Sequence, residues 1–276
     1  MKQNRVRTDL EEKMRILVLI KEVPDMEKVK FDSERGVVDR SSARAEINPF
    51  DESALQAALD LKEQYGGTVC VMTMGPARAV NSLQEAYARG ADEGILLTDR
   101  AFGGSDTIAT SRTLAAAIKG EDFDLILCGE KSVDGDTAQV GAETAELLGI
   151  PHAYYVDAIE TCSDGEIRVE IENLCGNRQV RVMKLPALVG VTKNIGKLKL
   201  PTVNRKLESL NASCRTVTMA DVQGLSKDDT GFAGSPTKVA KIEVPKVQQR
   251  ESEIFREDMG NFTAKLETVF TEKGVI

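Results

Sequence analysis

Residues 124–151 read DLILCGEKSVDGDTAQVGAETAELLGIP, and this stretch decides the fold. Asp124–Cys128 is a short apolar run, the pattern of a strand buried on both faces of a parallel sheet. After a polar, glycine-bearing loop, the spacing predicts a helix from about Thr137 to Leu148, stopped by Gly149 and Pro151. A strand that passes through such a loop into a helix is half of a βαβ unit.

The same unit recurs toward the N-terminus. RILVLI at 15–20 is a second buried-strand run. A polar excursion (21–47) follows, with a hairpin expected around Glu34-Arg35-Gly36. Asn48-Pro49-Phe50-Asp51 then opens a helix that Asp51 can cap; Ala54, Leu55, Ala58, Leu59 and Leu61 form its apolar stripe, and Gly66-Gly67 ends it. Strands at Thr68–Thr73 and Gly94–Leu97 alternate with helices at about Ala77–Arg89 and Asp106–Ile118. The alternation predicts an α/β fold, a doubly wound and mostly parallel sheet covered on both faces.

Beyond Pro151 the texture changes. Ala153–Thr161, Glu166–Glu172 and Gln179–Met183 read as strands, the first two joined at Asp164-Gly165, and PALVGVT at 186–192 returns to the main sheet. Residues 193–206 read as a basic loop carrying Lys193, Lys197, Lys199, Arg205 and Lys206. From about 221 the composition turns polar and punctuated by Pro and Gly, which suits an arm extended over a surface. Phe255, Met259, Phe262, Leu266 and Val269 then recur at helical spacing, one stripe of a terminal helix that docks on its own domain or on another subunit. The expected division is a disordered extension at 1–13, an α/β domain at 14–220, and a C-terminal arm and helix at 221–276. The fold signal begins at Met14, and either Met1 or Met14 serves as the native start.

Composition removes whole classes of function. With 36 basic and 44 acidic residues the net charge is −8, which offers nucleic acid no general attraction. Cys70, Cys128, Cys162, Cys175 and Cys214 are odd in number and never spaced CxxC, the usage of a reducing, cytoplasmic chain with no zinc site. No apolar run is long enough to span a membrane. The single histidine, His152, fits a structural role at a strand start, so triads and histidine metal clusters are excluded. Tryptophan is absent and no His, Cys or Ser constellation offers acid, base or nucleophilic work; any redox chemistry must arrive with a cofactor.

In an open α/β sheet ligands bind beyond the carboxyl ends of the strands. Four loops belong there: Lys21–Asp25, Met74-Gly75-Pro76, Phe102–Thr107 and Gly129–Thr137. FGGSDT (102–107) and Gly135-Asp136-Thr137 run glycine-bearing turns into helix N-termini, where free amides can meet phosphate. Each loop taken alone is equally a turn and a cap; both on one crevice favour a nucleotide or dinucleotide. There is no GxGxxG after the first strand and no GxxxxGK[ST], so the standard dinucleotide and P-loop signatures fail. FGGSDT superficially resembles the SGGxDS loop of ATP pyrophosphatases, yet it follows the third strand where theirs follows the first.

KEVPD (21–25), NPFDESALQAALDLKE (48–63), MTMGPA (72–77), ARGADEGILLTDRAFGGSDT (88–107) and LILCGEKSVDGDTAQVGAETAELLGIP (125–151) together resemble the beta subunit of electron transfer flavoproteins, in the FAD-containing, electron-bifurcating type from anaerobes. The likeness runs over about residues 14–245. It implies a Rossmann-like sheet, an arm embracing an alpha subunit, and a nucleotide that is AMP in housekeeping members and FAD, reduced by NADH, in bifurcating ones. Carried over by position, Leu19, Asn48, Pro49, Phe50, Met74, Gly75, Asp134, Gly135, Asp136, Thr137, Ala138, Gln139, Val140, Gly141 and Thr144 wall the nucleotide, with Ser105, Asp106 and Thr107 beside the second half of FAD. The resemblance also implies a partner loop that carries Lys199 and, at the anchoring position, Val203. Here Gly196-Lys197-Leu198-Lys199 replaces the family's Asn-Glu-Pro-Arg. The partners implied are an alpha subunit, an acyl-CoA dehydrogenase-type protein, and ferredoxin or flavodoxin. Two other classes compete: a nucleotide-hydrolysing or adenylating enzyme that uses FGGSDT, and a ligand-sensing module in which the nucleotide only stabilises the fold.

Overall fold

The computed structural model describes residues 13–25, 28, 30–32, 37–39, 44–172, 176–238, 254–256 and 258–276. The expected extension at 1–13 lies outside them except for its last residue, and the expected turn at 34–36 also falls outside. The chain divides into two units, Met1–Ala240 and Lys241–Ile276.

In the first unit β1 (Arg15–Ile20), β2 (Glu22–Pro24), β3 (Lys30–Asp32), β4 (Val37–Asp39) and β5 (Ala45–Ile47) precede α1 (Pro49–Tyr65). The alternation continues through β6 (Thr68–Met74), α2 (Val80–Arg89), β7 (Glu93–Leu97), α3 (Thr107–Ile118), β8 (Leu125–Gly129) and α4 (Val140–Leu148). Then come β9 (His152–Ser163), β10 (Glu166–Ile171), β11 (Gln179–Lys184), β12 (Ala187–Val191), α5 (Val203–Ser209) and β13 (Arg215–Val217). The second unit contains α6 (Met259–Glu272), started by the Asp258 carboxylate, which accepts the Asn261 amide at 3.1 Å.

Among the described residues one sheet runs β11-β10-β9-β12-β8-β1-β6-β7-β13. From β9 to β13 every pair is parallel, while β10 and β11 extend the sheet antiparallel. This is the expected α/β, Rossmann-like, mostly parallel architecture. β1 lies between β6 and β8, so the winding reverses between β1 and β8 and opens a crevice at their carboxyl ends. The strands flanking the expected turn at 34–36 pair antiparallel, Asp32 opposite Val37.

Alternate residues of each strand feed two cores. Ile16, Val18, Val69 and Val71 pack with Leu55, Ala58 and Leu83 of α1 and α2 on one face. Leu17, Leu19, Cys70, Met72 and Ile126 pack with Leu114 and Ala145 of α3 and α4 on the other. A fully buried Leu, Ile or Val contributes about 1.5–3 kcal/mol, and Ile16, Leu17 and Val18 are all completely buried. β1 is thus held from both sides, which makes its exit a rigid place to build a site.

Three local expectations change. α4 begins at Val140, not near Thr137, because Asp136 and Ala138 take φ of +53° and +54°, left-handed values that a right-handed helix cannot contain. The basic segment 193–206 is not a continuous loop: α5 starts at Val203, where the Thr202 hydroxyl accepts the Arg205 amide at 3.3 Å. Asp51 does not cap α1; Asn48 holds the cap position and makes no side-chain cap bond. From 221, Val222, Thr230 and Ser235 are buried within the first unit.

Candidate functional site

The crevice is assembled around Lys21, the first residue past β1. Its amide donates to the Asp51 carboxylate at 2.8 Å, and its carbonyl accepts the Asn48 amide at 2.9 Å. Its ammonium reaches the Asp134 carboxylate at 2.7 Å and the Ser132 hydroxyl at 3.3 Å. One residue therefore joins the β1 exit, the first turn of α1 and the loop after β8.

Asn48 and Asp51 complete the frame. Asn48 is fully buried; its Nδ2 donates to the Lys131 carbonyl at 2.8 Å and its Oδ1 accepts the Val133 amide at 3.2 Å. Asp51 Oδ1 accepts the Gly129 amide at 2.9 Å. Burial pushes the Asp51 carboxyl up to about 7, against the downward pull of the Lys21 amide, the Asn48 side chain, the Gly129 amide and the Lys21 ammonium. A Cβ on Gly129 would lie 2.5 Å from Phe50 Cβ and 2.6 Å from Asp51 Oδ1, so only glycine lets α1 seat this close to β8.

The loop at 134–139 has the form of an anion nest. Gly135, Asp136 and Thr137 are exposed, and the left-handed residues Asp136 and Ala138 alternate with right-handed or extended ones. Alternation of this kind turns successive N–H groups to one side. Among the described residues no acceptor meets the amides of Gly135, Thr137 or Ala138. A Cβ at Gly135 would find only Ser132 Oγ, at 3.5 Å, so its backbone is open to approach. Lys131 pairs with Asp136 at 2.8 Å, and the Lys131 and Lys193 ammonium groups lie 5.7 and 5.6 Å from the Phe50 ring centre.

Not every residue assigned to the nucleotide wall lies on it in the same way. Leu19 is a buried β1 side chain, so only its backbone borders the crevice, and the Gly75 amide is spent on the Leu97 carbonyl at 3.0 Å. Met74 ends β6 and Pro49 begins α1. Gln139 and Val140 form the start of α4. Gly141 and Thr144 face inward: Thr144 Oγ1 donates to the Val140 carbonyl at 2.6 Å, and a Cβ on Gly141 would strike Tyr154 Oη at 2.0 Å and Cys128 Sγ at 2.7 Å. Gly141 is glycine because of Tyr154. The Cys128 thiol beneath it is pushed up to about 12 by burial.

The FGGSDT loop is engaged by the chain itself. The Asp106 amide donates to Ser235 Oγ at 2.8 Å, and Asp106 Oδ2 accepts the Thr237 amide and hydroxyl at 2.9 and 2.7 Å. Asp106 Oδ1 caps α3 through the Ala109 amide at 3.0 Å. Burial works against the Asp106 charge, yet these bonds hold its carboxyl below the usual range. Phe232 covers Gly104, Ser105 Oγ donates to the Phe102 carbonyl at 2.8 Å, and Thr107 Oγ1 donates to Glu143 at 3.2 Å. Ser235 and Thr237 carry no sequence signal that would single them out from the polar run around them.

On the α1 side the Lys199 amide donates to Gln56 Oε1 at 2.9 Å, and its ammonium pairs with Asp60 at 2.9 Å and Glu63 at 3.1 Å. The next residue, Leu200, is 88% exposed against 74% for Val203. Leu198, Leu207 and Leu210 are also exposed, giving an apolar patch interspersed with Lys197, Arg205 and Lys206. The resemblance implies Val203 as the anchoring position; exposure points first to Leu200. Among the described residues no His, Cys, Asp and Glu cluster could hold a metal, and no helix is long and apolar enough to cross a membrane.

Residues 35–223 match the family model described as electron transfer flavoprotein domain. The chain is 42% identical over 236 residues to the electron transfer flavoprotein subunit beta of Clostridium acetobutylicum, covering 85% of this chain and 90% of that one. It is 37% identical over 271 residues to the caffeyl-CoA reductase-Etf complex subunit CarD of Acetobacterium woodii, covering 95% and 100%. It is 35% identical over 248 residues to the acryloyl-CoA reductase electron transfer subunit gamma of Anaerotignum propionicum, covering 84% and 89%.

Proposed function

The chain belongs to the electron transfer flavoprotein family, among its beta subunits, and from that premise we propose that it binds FAD at the β1–β8 crevice as half of an electron-transferring heterodimer. The observation that carries this reading is the exposed 134–139 nest beside the Lys21–Asn48–Asp51 frame, with amides available to a phosphate at the switch point. Bound FAD would supply the redox chemistry, accepting electrons from NADH for passage to the alpha subunit and to a low-potential carrier such as ferredoxin or flavodoxin. The chain's own residues hold and orient it. Gly135, Thr137 and Ala138 present amides to phosphate, the Asp136 amide being spent on the Ser132 carbonyl, and the Lys21–Asp134 and Lys131–Asp136 pairs flank the loop.

A second reading, AMP in place of FAD, is favoured by one observation. Ser235 and Thr237 already engage Asp106 at the α3 N-terminus, so a single phosphate cradle remains at the crevice, which suits a monophosphate. Extraction of nucleotide from the complex co-purified with its alpha subunit separates the two. Two FAD per heterodimer with bleaching by NADH supports the first; one FAD and one AMP with NADH inert supports the second. Absence of any nucleotide from the beta subunit rejects both.

The partner surface in this reading is the patch led by Leu200 and Val203, with Lys199 fastening its base to α1. Its occupant is an acyl-CoA dehydrogenase-type or enoyl-CoA reductase-type protein that presents an apolar pocket rimmed by acids. The relatives named for caffeyl-CoA and acryloyl-CoA reductases support that class.

A further inference from the structure

We propose that Asp51 and Asn48 are the positioning residues of the crevice, a bracket that fixes the separation of the β1 and β8 exits and so the shape of the phosphate loop. The proposal rests on the nucleotide reading above for its ligand, and on the bonds themselves for its mechanics.

The first turn of α1 grips both strands at once. Asp51 spends one carboxylate oxygen on each strand exit, Oδ2 on the Lys21 amide and Oδ1 on the Gly129 amide. Three residues earlier, Asn48 grips Lys21 from its other side, backbone to carbonyl, and clamps the loop at Lys131 and Val133. The Lys21 ammonium closes the circuit on Ser132 and Asp134. Residues 131–134 are thus fixed at four successive positions, immediately before the exposed nest.

The same bonds define what Asn48 does. Its side-chain oxygen accepts the Val133 amide, and its Nδ2 donates to the Lys131 carbonyl. Asn48 is completely buried, with its Nδ2 and its Oδ1 both engaged by the loop after β8. In this proposal it acts on the nucleotide through the loop. The bonds close across the switch point because Gly129 has no Cβ to hold α1 away.

Asp51→Asn, in the full chain co-produced with its alpha subunit, tests this. The variant keeps the shape but replaces one accepting oxygen with a donor that opposes an amide N–H. Amide exchange in the nucleotide-free protein is expected to rise at least tenfold at Lys21, Gly129 and 131–136, with β6 and β7 unchanged. Titration with AMP and with FAD is expected to show at least tenfold weaker binding, with assembly to the alpha subunit intact. If Asp51→Asn does not fold, Asn48→Ala is used, with exchange expected to rise at 131–136. Unchanged exchange at these amides overturns the bracket, as does nucleotide affinity within twofold of the parent. If the parent binds neither AMP nor FAD, the nucleotide reading fails, while the exchange measurement still decides whether the bracket sets the loop.

Discussion

The carboxylate of Asp51 meets the amide of Gly129 at 2.9 Å, tying the first turn of α1 to the last residue of β8 across the crevice. That closeness exists because position 129 has no side chain. Gly129→Ala would push a methyl to 2.5 Å from Phe50 Cβ and 2.6 Å from Asp51 Oδ1, so the helix must retreat. Forcing an extra carbon into a packed site costs about 1–3 kcal/mol. A lower urea midpoint at unchanged slope is the expected result, and a midpoint within error of the parent would show that α1 yields freely.

Asp51 also gives stability a pH signature. Its carboxyl lies at about 7 in the folded chain, above the ordinary 3.8, chiefly through burial. The folded state therefore holds a proton that the unfolded state releases between those values. Stability from this group falls as pH rises from about 4 to about 7 and is level above, a loss on the order of a few kcal/mol. The groups facing it are Lys21 at the β1 exit, Cys128 on β8 and Tyr154 on β9. Asp51→Asn removes the titration, so denaturant unfolding at pH 5 and pH 8 should differ less in the variant than in the parent. An equal difference in both would reject this assignment.

At Gly141 the protein's own packing already requires glycine. A Cβ there would lie 2.0 Å from Tyr154 Oη, so Gly141→Ala is expected to destabilise by about 1–3 kcal/mol. Removing the hydroxyl should recover part of the loss. The double variant Gly141→Ala with Tyr154→Phe should be more stable than the sum of the two single effects predicts, the mark of contacting residues. Strict additivity in thermal melts would contradict the contact.

What the sequence disclosed, and what it withheld, follows from the range of each interaction. Parallel strands such as Leu125–Gly129 and Ala187–Val191 were legible because burial on both faces leaves an unbroken apolar run. The approximate place of the crevice was legible too, since ligand loops follow strand carboxyl ends. The start of α4 was misread by three residues because left-handed backbone at Asp136 and Ala138 leaves no mark in residue type; Ala138 is an ordinary helix former. The role of Asp51 was hidden for a different reason. An acid in a helix's first turn reads as a cap, while its partners Lys21 and Gly129 lie 30 and 78 residues away. Asp106 was read as a cap or ligand neighbour, and its bonds to Ser235 and Thr237 span about 130 residues of unremarkable polar sequence.

The Asp106 contact leads to a test on residues 231–238. Asp106→Ala removes the α3 cap, a change worth about 0.5–2 kcal/mol, and the two bonds from Thr237 with it. Because the folded carboxyl is held below its ordinary 3.8, its contribution is complete above that value and is lost as pH falls through the lower folded one. Thr237→Val leaves the cap and deletes only the hydroxyl bond. Limited proteolysis should therefore cut near 231–238 faster in Asp106→Ala than in Thr237→Val, and faster in either than in the parent. Equal cutting rates in all three would mean that Asp106 does not hold the segment.

The last test concerns Leu200. Lys199 is fastened to α1 through Gln56, Asp60 and Glu63, so the residue after it is presented from a fixed base, 88% exposed. An exposed leucine contributes little to the fold, whereas one that fills a partner's pocket commonly costs 2 kcal/mol or more on truncation. Leu200→Ala is thus expected to leave the melting temperature unchanged and to weaken capture of the proposed acyl-CoA dehydrogenase-type or reductase-type partner by roughly tenfold or more, since about 1.4 kcal/mol is one decade. Val203→Ala, less exposed and three residues further on at the start of α5, should weaken capture less. Lys199→Ala separates base from tip: isolated surface ion pairs are worth about 0–1 kcal/mol, so stability should barely change while partner binding falls through loss of the fixed presentation. Partner affinity unchanged in Leu200→Ala would remove this patch from the docking surface and leave its five exposed apolar side chains without a role.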